Sequence, residues 1–371
     1  MPTQDEFQSL LNFQGGKKSA LTIYIQNTKG ILNSRQIQTV FKNLVKKLGI
    51  KERKNFHAQL NSIKIMLQST PINSKGIALF VTKEKIYVYQ LPQIPIENLI
   101  LISDKFILYP LSYIRQYCLP VLLTTVQKNE LSLYKISNNV KRLLTVKRRK
   151  EKRRDRLGFF SKFTGGGGTS EEGAKALEEI HTFMKHGAIQ IKARIEEEKR
   201  KFGKEKFLEV VAGDGSSLKF FSQYISKTIP IKVSILQKIL GYKDEKFFWN
   251  LAHDVNIKSV HEAVKRIVEK VKSQDEKSAK YLSDVISGLN EGKIMAVVMA
   301  INKPISGTVC NFCGYISAAK TNNCPACHKK VIPQNDIKEE IYRKCLKTVD
   351  EVWLTTQKLP GDTEAVAVFR Y

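Results

Sequence analysis

The chain has 371 residues, room for two or three domains, and its 42% hydrophobic content excludes an intrinsically disordered protein. Six cysteines exclude a disulfide-dense scaffold and fit a reducing compartment; the longest apolar run, Ile294 to Ile301, is too short to span a bilayer, and no secretory pattern opens the chain, so a cytoplasmic protein without a membrane partner is expected. The formal net charge of +27 points to a polyanionic partner, for which nucleic acid ranks ahead of an anionic membrane surface and is the one expected, with part of the lysine excess attributable to an AT-rich genome.

Residues 1–115 read as an N-terminal α+β domain. Ala20 to Gln26 is a β-rich run, and Ile37, Val40, Phe41, Leu44, Val45 and Leu48 recur at helical spacing. Gly76 to Leu91 reads as two strands around a Lys-Glu turn, and Leu99 to Leu108 as a further strand.

Residues 116–248 form the second expected domain. Val121 to Gln127 and Leu131 to Ser137 make a hairpin, and Val140 to Val146 a third strand. A polar segment follows, in which Lys147, Arg148, Arg149, Lys150, Lys152, Arg153, Arg154 and Arg156 put eight cations within ten residues, opposed only by Glu151 and Asp155. Packing cannot absorb such a run, so it is either solvated or bound to phosphate, and these eight side chains are the candidate RNA contacts. The segment leads through Phe159, Phe160 and Phe163, which either stack on bases or pin the loop, to Gly165, Gly166, Gly167, Gly168 and Thr169. Four glycines leave no side chain to obstruct a close approach, though a flexible tether has the same composition. No Gly-Lys-Ser or Gly-Lys-Thr follows, so this is not a P-loop. Thr169 or Ser170 caps a long helix, with Glu172 completing a capping box and Ala174, Leu177, Ile180, Met184, Ala188, Ile191 and Ile195 as its buried stripe. A strand over Phe207 to Ala212, a helix over Leu218 to Ile225 and the run Pro230 to Leu240 close the domain.

Residues 249–371 alternate helix and strand, as an α/β domain does. Val260, Val264, Ile267, Val268 and Val271 share one helical face; Ala279, Leu282, Val285, Ile286 and Leu289 share another. A strand at Ile294 to Ile301, a helix at Asp336 to Leu346 and strands at Val352 to Thr355 and Ala365 to Arg370 complete it. Within it, segment 308–330 carries Cys310, Cys313, Cys324 and Cys327, two C-x2-C pairs ten residues apart. Two such pairs supply four thiolates to one tetrahedral ion, the ligand set of a structural Zn2+ ribbon with no open position for catalysis. His328 is an alternative fourth ligand beside Cys327; Cys118 and Cys345 are isolated and expected in the core.

This three-part order resembles the class-I peptide chain release factors of archaea and eukaryotes and their relative Pelota, and most of all their bacterial relatives. The resemblance is carried by Gly292 to Gly314 (GKIMAVVMAINKPISGTVCNFCG), Cys324 to Cys327 (CPAC), Asp336 to Cys345 (DIKEEIYRKC) and the ending Thr363 to Tyr371 (TEAVAVFRY). It implies an RNase H-like central domain and a ribosomal-protein-like α/β C-terminal domain carrying the ribbon. It also implies a translation factor that enters the ribosomal A site, touches ribosomal RNA and P-site tRNA, and is delivered by a translational GTPase. The family's Gly-Gly-Gln is absent: Thr169 and Ser170 follow Gly168, and no glutamine does. A ribosome hibernation or rescue factor without hydrolysis of its own is therefore expected. The alternative is a peptidyl-tRNA release or rescue factor using Thr169, Ser170 or His181 to position water. A zinc-ribbon nucleic-acid adaptor outside translation ranks last. Asn256 to Ser259 spells the family's decoding string Asn-Ile-Lys-Ser, but at the start of a helix in the wrong domain, and is read as coincidence.

Overall fold

The computed structural model describes residues 1–27, 34–69, 74–95, 97–137, 139–148, 171–202, 207–213, 215–225, 245–273 and 277–371. By compactness the chain divides into two units, one made of Met1–Tyr117 with Ser259–Tyr371 and the other of Cys118–Lys258.

Helix α1 (Gln4–Asn12) starts at a capping box: the Thr3 hydroxyl accepts from the Glu6 backbone N–H, and the Glu6 carboxylate accepts from the Thr3 N–H. Phe7 and Leu10 face inward from it. There follow β1 (Ala20–Gln26), α2 (Ser34–Lys46), α3 (Ile50–Asn55), α4 (His57–Ser69), β2 (Gly76–Val81), β3 (Ile86–Leu91), β4 (Leu99–Ser103) and α5 (Tyr109–Arg115). The sheet is antiparallel in the order β3-β2-β1-β4. Alternate residues of β1 and β2 (Leu21, Ile23, Ile25; Ile77, Leu79, Val81) pack with Ile37, Phe41 and Leu44 of α2 and Leu60, Ile63 and Leu67 of α4. The strand expected over Leu99 to Leu108 stops at Ser103. The run Phe106 to Leu108 is buried without joining the ladder: the Ile107 N–H donates to the Thr22 hydroxyl at 3.1 Å, and Pro110 sets the first turn of α5.

The central unit holds β5 (Val121–Gln127), β6 (Glu130–Ile136), β7 (Val140–Lys147), α6 (Glu171–Phe202), β8 (Leu208–Gly213), α7 (Gly215–Ile225) and the first half of α8 (Glu245–Lys272). Its sheet runs β7-β6-β5-β8, with β5 and β8 parallel and the other pairs antiparallel. Period-two alternation splits its core. Leu122, Val126, Leu131, Leu133 and Val211 meet Ile180, Met184, Ala188, Ile191 and Ile195 of α6 and Leu218 and Phe221 of α7. Val121, Leu123, Val210 and Ala212 meet Phe248, Leu251, Ala252 and Val255 of α8. The side chains of Glu172 and Ala174, and the run Pro230 to Leu240, lie outside the described residues.

Asn256 does not begin a helix, because α8 starts eleven residues earlier, at Glu245. It is 3% exposed, and its amide clamps both backbone groups of Leu119: Nδ2 donates to the Leu119 carbonyl and Oδ1 accepts from the Leu119 N–H, each at 3.1 Å. Its place in the Asn-Ile-Lys-Ser string is thus a packing role. Asn256→Ala takes the partner from two half-buried backbone groups of Leu119, and a loss of about 1 kcal/mol in denaturant unfolding of the central unit is expected; an unchanged midpoint would show the clamp to be dispensable.

The second half of α8 returns to the first unit, followed by β9 (Ser278–Ala279), α9 (Leu282–Asn290), β10 (Ile294–Ala300), β11 (Gly307–Val309), β12 (Ile316–Ser317), β13 (Pro333–Gln334), α10 (Lys338–Thr348), β14 (Glu351–Thr355) and β15 (Ala365–Phe369). Two sheets form, β14-β10-β15-β9 and the small antiparallel β12-β11-β13. Val260, Ala263, Val264, Ile267 and Val271 of α8 pack on Ala296, Val298, Trp353, Val366 and Val368. Ala279, expected on a helical face, pairs instead with Ala367 in the edge strand β9, and the helix starts at Leu282.

The two sequence-distant parts of this unit meet through a buried charge pair. Glu339, on α10, takes two backbone N–H bonds from Leu108 and Tyr109 at 2.8 and 3.1 Å. Arg343, one turn on, donates to Glu339 at 2.6 Å and to the Phe106 carbonyl at 2.8 Å. Among the described residues no helix is long and apolar enough to cross a membrane.

Candidate metal centre and basic segment

Two tight turns bring the four cysteines together. In the first, the Gly314 N–H donates to the Cys310 carbonyl at 2.9 Å, and Gly314 takes φ +69°, a conformation that glycine adopts without a Cβ penalty. The second repeats this, with the His328 N–H on the Cys324 carbonyl at 2.9 Å and His328 at φ +57°. Each turn is closed by a further bond, Cys310 N–H to Tyr315 O at 2.9 Å and Cys324 N–H to Lys329 O at 2.8 Å. The four sulfurs all lie within 4.8 Å of one another, with Cys310 and Cys327 at 3.5 Å and Cys313 and Cys324 at 3.6 Å. Sulfurs placed at about 2.3 Å around one tetrahedral ion stand about 3.8 Å apart, so the donor set fits a metal of that kind. His328 is not part of the cluster, and the left-handed turn position accounts for its backbone.

Electrostatics favour a cation here. Backbone N–H groups of Cys313 and Phe312 aimed at the Cys310 sulfur hold its pKa down to about 6. The Lys329 N–H pulls Cys327 the same way, but desolvation and the neighbouring thiol groups outweigh it and push Cys327 up to about 12. Four thiolates this close repel one another, and a divalent ion removes the repulsion.

The basic segment begins where β7 ends. Lys147 is exposed and 3.8 Å from Glu130. Arg148 pairs with Glu179 of α6 at 2.8 Å and is mostly covered. Arg149, Lys150, Lys152, Arg153, Arg154, Arg156, Gly165 to Gly168, Thr169 and Ser170 lie outside the described residues.

No protein-family model matches the chain, and no curated protein matches it. Solved structures do. The chain is similar to a translation termination-like factor of S. cerevisiae, with 10% identity over 100% of this chain and 94% of that one and a TM-score of 0.39. It is similar to Archaeoglobus fulgidus Pelota, with 12% identity over 100% and 92% and a TM-score of 0.30. Residues amounting to 35% of it are similar to 98% of the C-terminal domain of a peptide chain release factor from Methanosarcina mazei, at 21% identity and a TM-score of 0.23. All three TM-scores lie below 0.5, so the chain's own residues, not these likenesses, carry the functional reading.

His181 is placed for packing. Its Nδ1 lies 2.6 Å from the Tyr224 hydroxyl, and its ring meets Phe220 edge-on at 4.9 Å. His186 is exposed. Two residues that sequence reasoning passed over anchor the ribbon. Asn290 Nδ2 donates to the Ile316 carbonyl at 2.7 Å, and its Oδ1 accepts from the Ile316 N–H and from Lys344 Nζ. Lys344 also donates to the Gly314 carbonyl at 3.2 Å. An asparagine at a helix end and a lysine in a charged helix carry no sequence signal for this role. Cys345 is buried and Cys118 half-buried.

Proposed function

We propose that this chain is a ribosome-binding translation factor of the release-factor-like kind, occupying the A site through ribosomal-RNA contacts in hibernation or rescue, without hydrolysing peptidyl-tRNA itself. The observation that carries the reading is the segment that starts at the last residue of β7: eight cations within ten residues, Lys147 to Arg156, lead into four consecutive glycines ahead of the 32-residue helix α6. Cations grip phosphate without reading sequence, and a run of glycines brings no side chain to obstruct a close approach. The resemblance of Gly292 to Gly314 and Thr363 to Tyr371 to the release-factor and Pelota family supports the setting, as does the net charge of +27. The reading carries with it domains at 1–115, 116–248 and 249–371, an RNase H-like centre and delivery by a translational GTPase; the mixed sheet β7-β6-β5-β8 with helices packed on it supports an α/β centre. Zn2+ held by Cys310, Cys313, Cys324 and Cys327 is structural in it, since four thiolates leave no position for substrate.

Co-sedimentation with vacant ribosomes at rising salt tests it. Stoichiometric binding that weakens steeply with salt is expected, and glutamine at Lys150, Arg153 and Arg154 should reduce the log–log salt slope by about one per cation engaged. Absence of binding at low salt overturns the vacant-ribosome reading. Release of nascent peptide that is lost in Gly166→Ala and Gly167→Ala replaces it with the hydrolytic alternative.

A further inference from the structure

The ribbon has a surface that its metal-binding role does not use. Among the described residues the two most exposed large apolar side chains both lie on it, Ile332 at 78% and Phe312 at 74%. Phe312 sits inside the first C-x2-C turn, its backbone N–H committed to the Cys310 sulfur and its ring turned outward. Lys329, from the second turn, places Nζ 5.1 Å from the centre of that ring. From Lys303 to Asn335 the chain has no aspartate or glutamate, while Lys303, Lys320, Lys329 and Lys330 contribute four positive charges. Four thiolates on a divalent ion bring a net charge of −2, so the segment as a whole stays positive.

Phe312 leaves most of its ring in water, where it contributes no burial to the ribbon. An aromatic face beside a lysine, in an acid-free segment, matches one ligand chemistry closely: a nucleobase to stack and a phosphate to pair. We propose that the ribbon is a single-stranded RNA contact, with Phe312 as the stacking platform and Lys329 as the phosphate partner. The stack is tolerant of base identity, because each base presents a π-face, and the contact supplies affinity rather than sequence reading. This goes beyond the ribosome reading and does not rest on it, since the basic segment at 147–156 is a separate element.

The test uses the full-length, metal-loaded protein and a short oligoadenylate. Phe312→Trp puts a fluorophore at the platform, read against wild type, which already carries Trp249 and Trp353. Quenching of the added emission by oligoadenylate is expected, with no such quenching by poly-glutamate. Phe312→Ala, with zinc content and melting temperature unchanged, should bind the oligonucleotide about tenfold more weakly, and Lys329→Gln should lower the log–log salt slope by about one. An added tryptophan that oligoadenylate does not quench, or an undiminished affinity in Phe312→Ala, overturns the proposal. Quenching by poly-glutamate as strong as by RNA also overturns it and assigns the surface to an acidic protein partner. Because free oligonucleotide is used, these outcomes are independent of whether ribosomes bind.

Discussion

Methionine in place of Arg343 is expected to destabilise the Met1–Tyr117/Ser259–Tyr371 unit by about 3–5 kcal/mol at pH 8, measured by denaturant unfolding. The guanidinium and the Glu339 carboxylate are both under a tenth exposed, and removing the cation strands a buried anion. It also strips a donor from the Phe106 carbonyl. Replacing both partners with apolar residues, Glu339→Leu with Arg343→Met, should recover part of the loss, because the desolvation cost of the pair disappears along with its attraction, while the Leu108 and Tyr109 N–H groups and the Phe106 carbonyl stay unpaired. A double variant no better than the single one would contradict this account.

The same pair sets a pH dependence. Burial pushes Glu339 up from 4.5 to about 7, against the pull of Arg343 and of the Leu108 and Tyr109 N–H groups. With the folded value above the unfolded one, folding takes up about one proton between them. The stability this group contributes is therefore complete below 4.5 and lost as pH rises through about 7. The unfolding free energy should fall from pH 5 to pH 8, and Glu339→Gln should flatten that slope. The penalty of Arg343→Met should shrink over the same range as pH is lowered, since the stranded carboxyl then takes a proton.

Serine at both Cys310 and Cys313 should abolish metal binding and unfold the ribbon. Structural zinc contributes about 10–16 kcal/mol of apparent binding free energy in small zinc-folded peptides, far more than three short strands supply alone. The expected result is a fall from one zinc per chain to none by elemental analysis, with fast amide exchange across β11, β12 and β13. Because Asn290 and Lys344 tie the ribbon to α9 and α10, the melting temperature of the surrounding unit should also fall. An unchanged melting temperature with the metal lost would show the ribbon to be independent of its base.

The ribbon was legible because its constraint is covalent and local: two pairs of ligands at short spacing place four sulfurs wherever the chain leads. Helix α6 is legible because its 3.6 period matches the face it buries, and strands β1, β5 and β10 because each is a short continuous β-rich run buried on both faces. The Thr3–Glu6 capping box ahead of Phe7 and Leu10, and the spacing of Leu60, Ile63 and Leu67, were equally visible signals for α1 and α4, neither of which was expected. The run ending at Leu108 misled because burial without pairing looks like a strand in one dimension. Glu339 and Arg343 have the i,i+4 spacing that an ordinary solvent-facing pair also has. Only the return of residues 106–109 over α10 buries them, and no local pattern encodes a contact between such distant positions.

That contact has a consequence for how the chain is made. The Glu339 carboxylate that receives the Leu108 N–H is synthesised 231 residues after it. Between the two, the whole Cys118–Lys258 unit emerges, and it can complete its own packing first. Until Glu339 and Arg343 arrive, the Leu108 and Tyr109 N–H groups and the Phe106 carbonyl must take water in place of these partners, although Phe106 can already stack on Phe13 and Phe80. Nascent chains arrested between residues 258 and 339 should therefore be protease-sensitive at that segment while the central unit is already resistant.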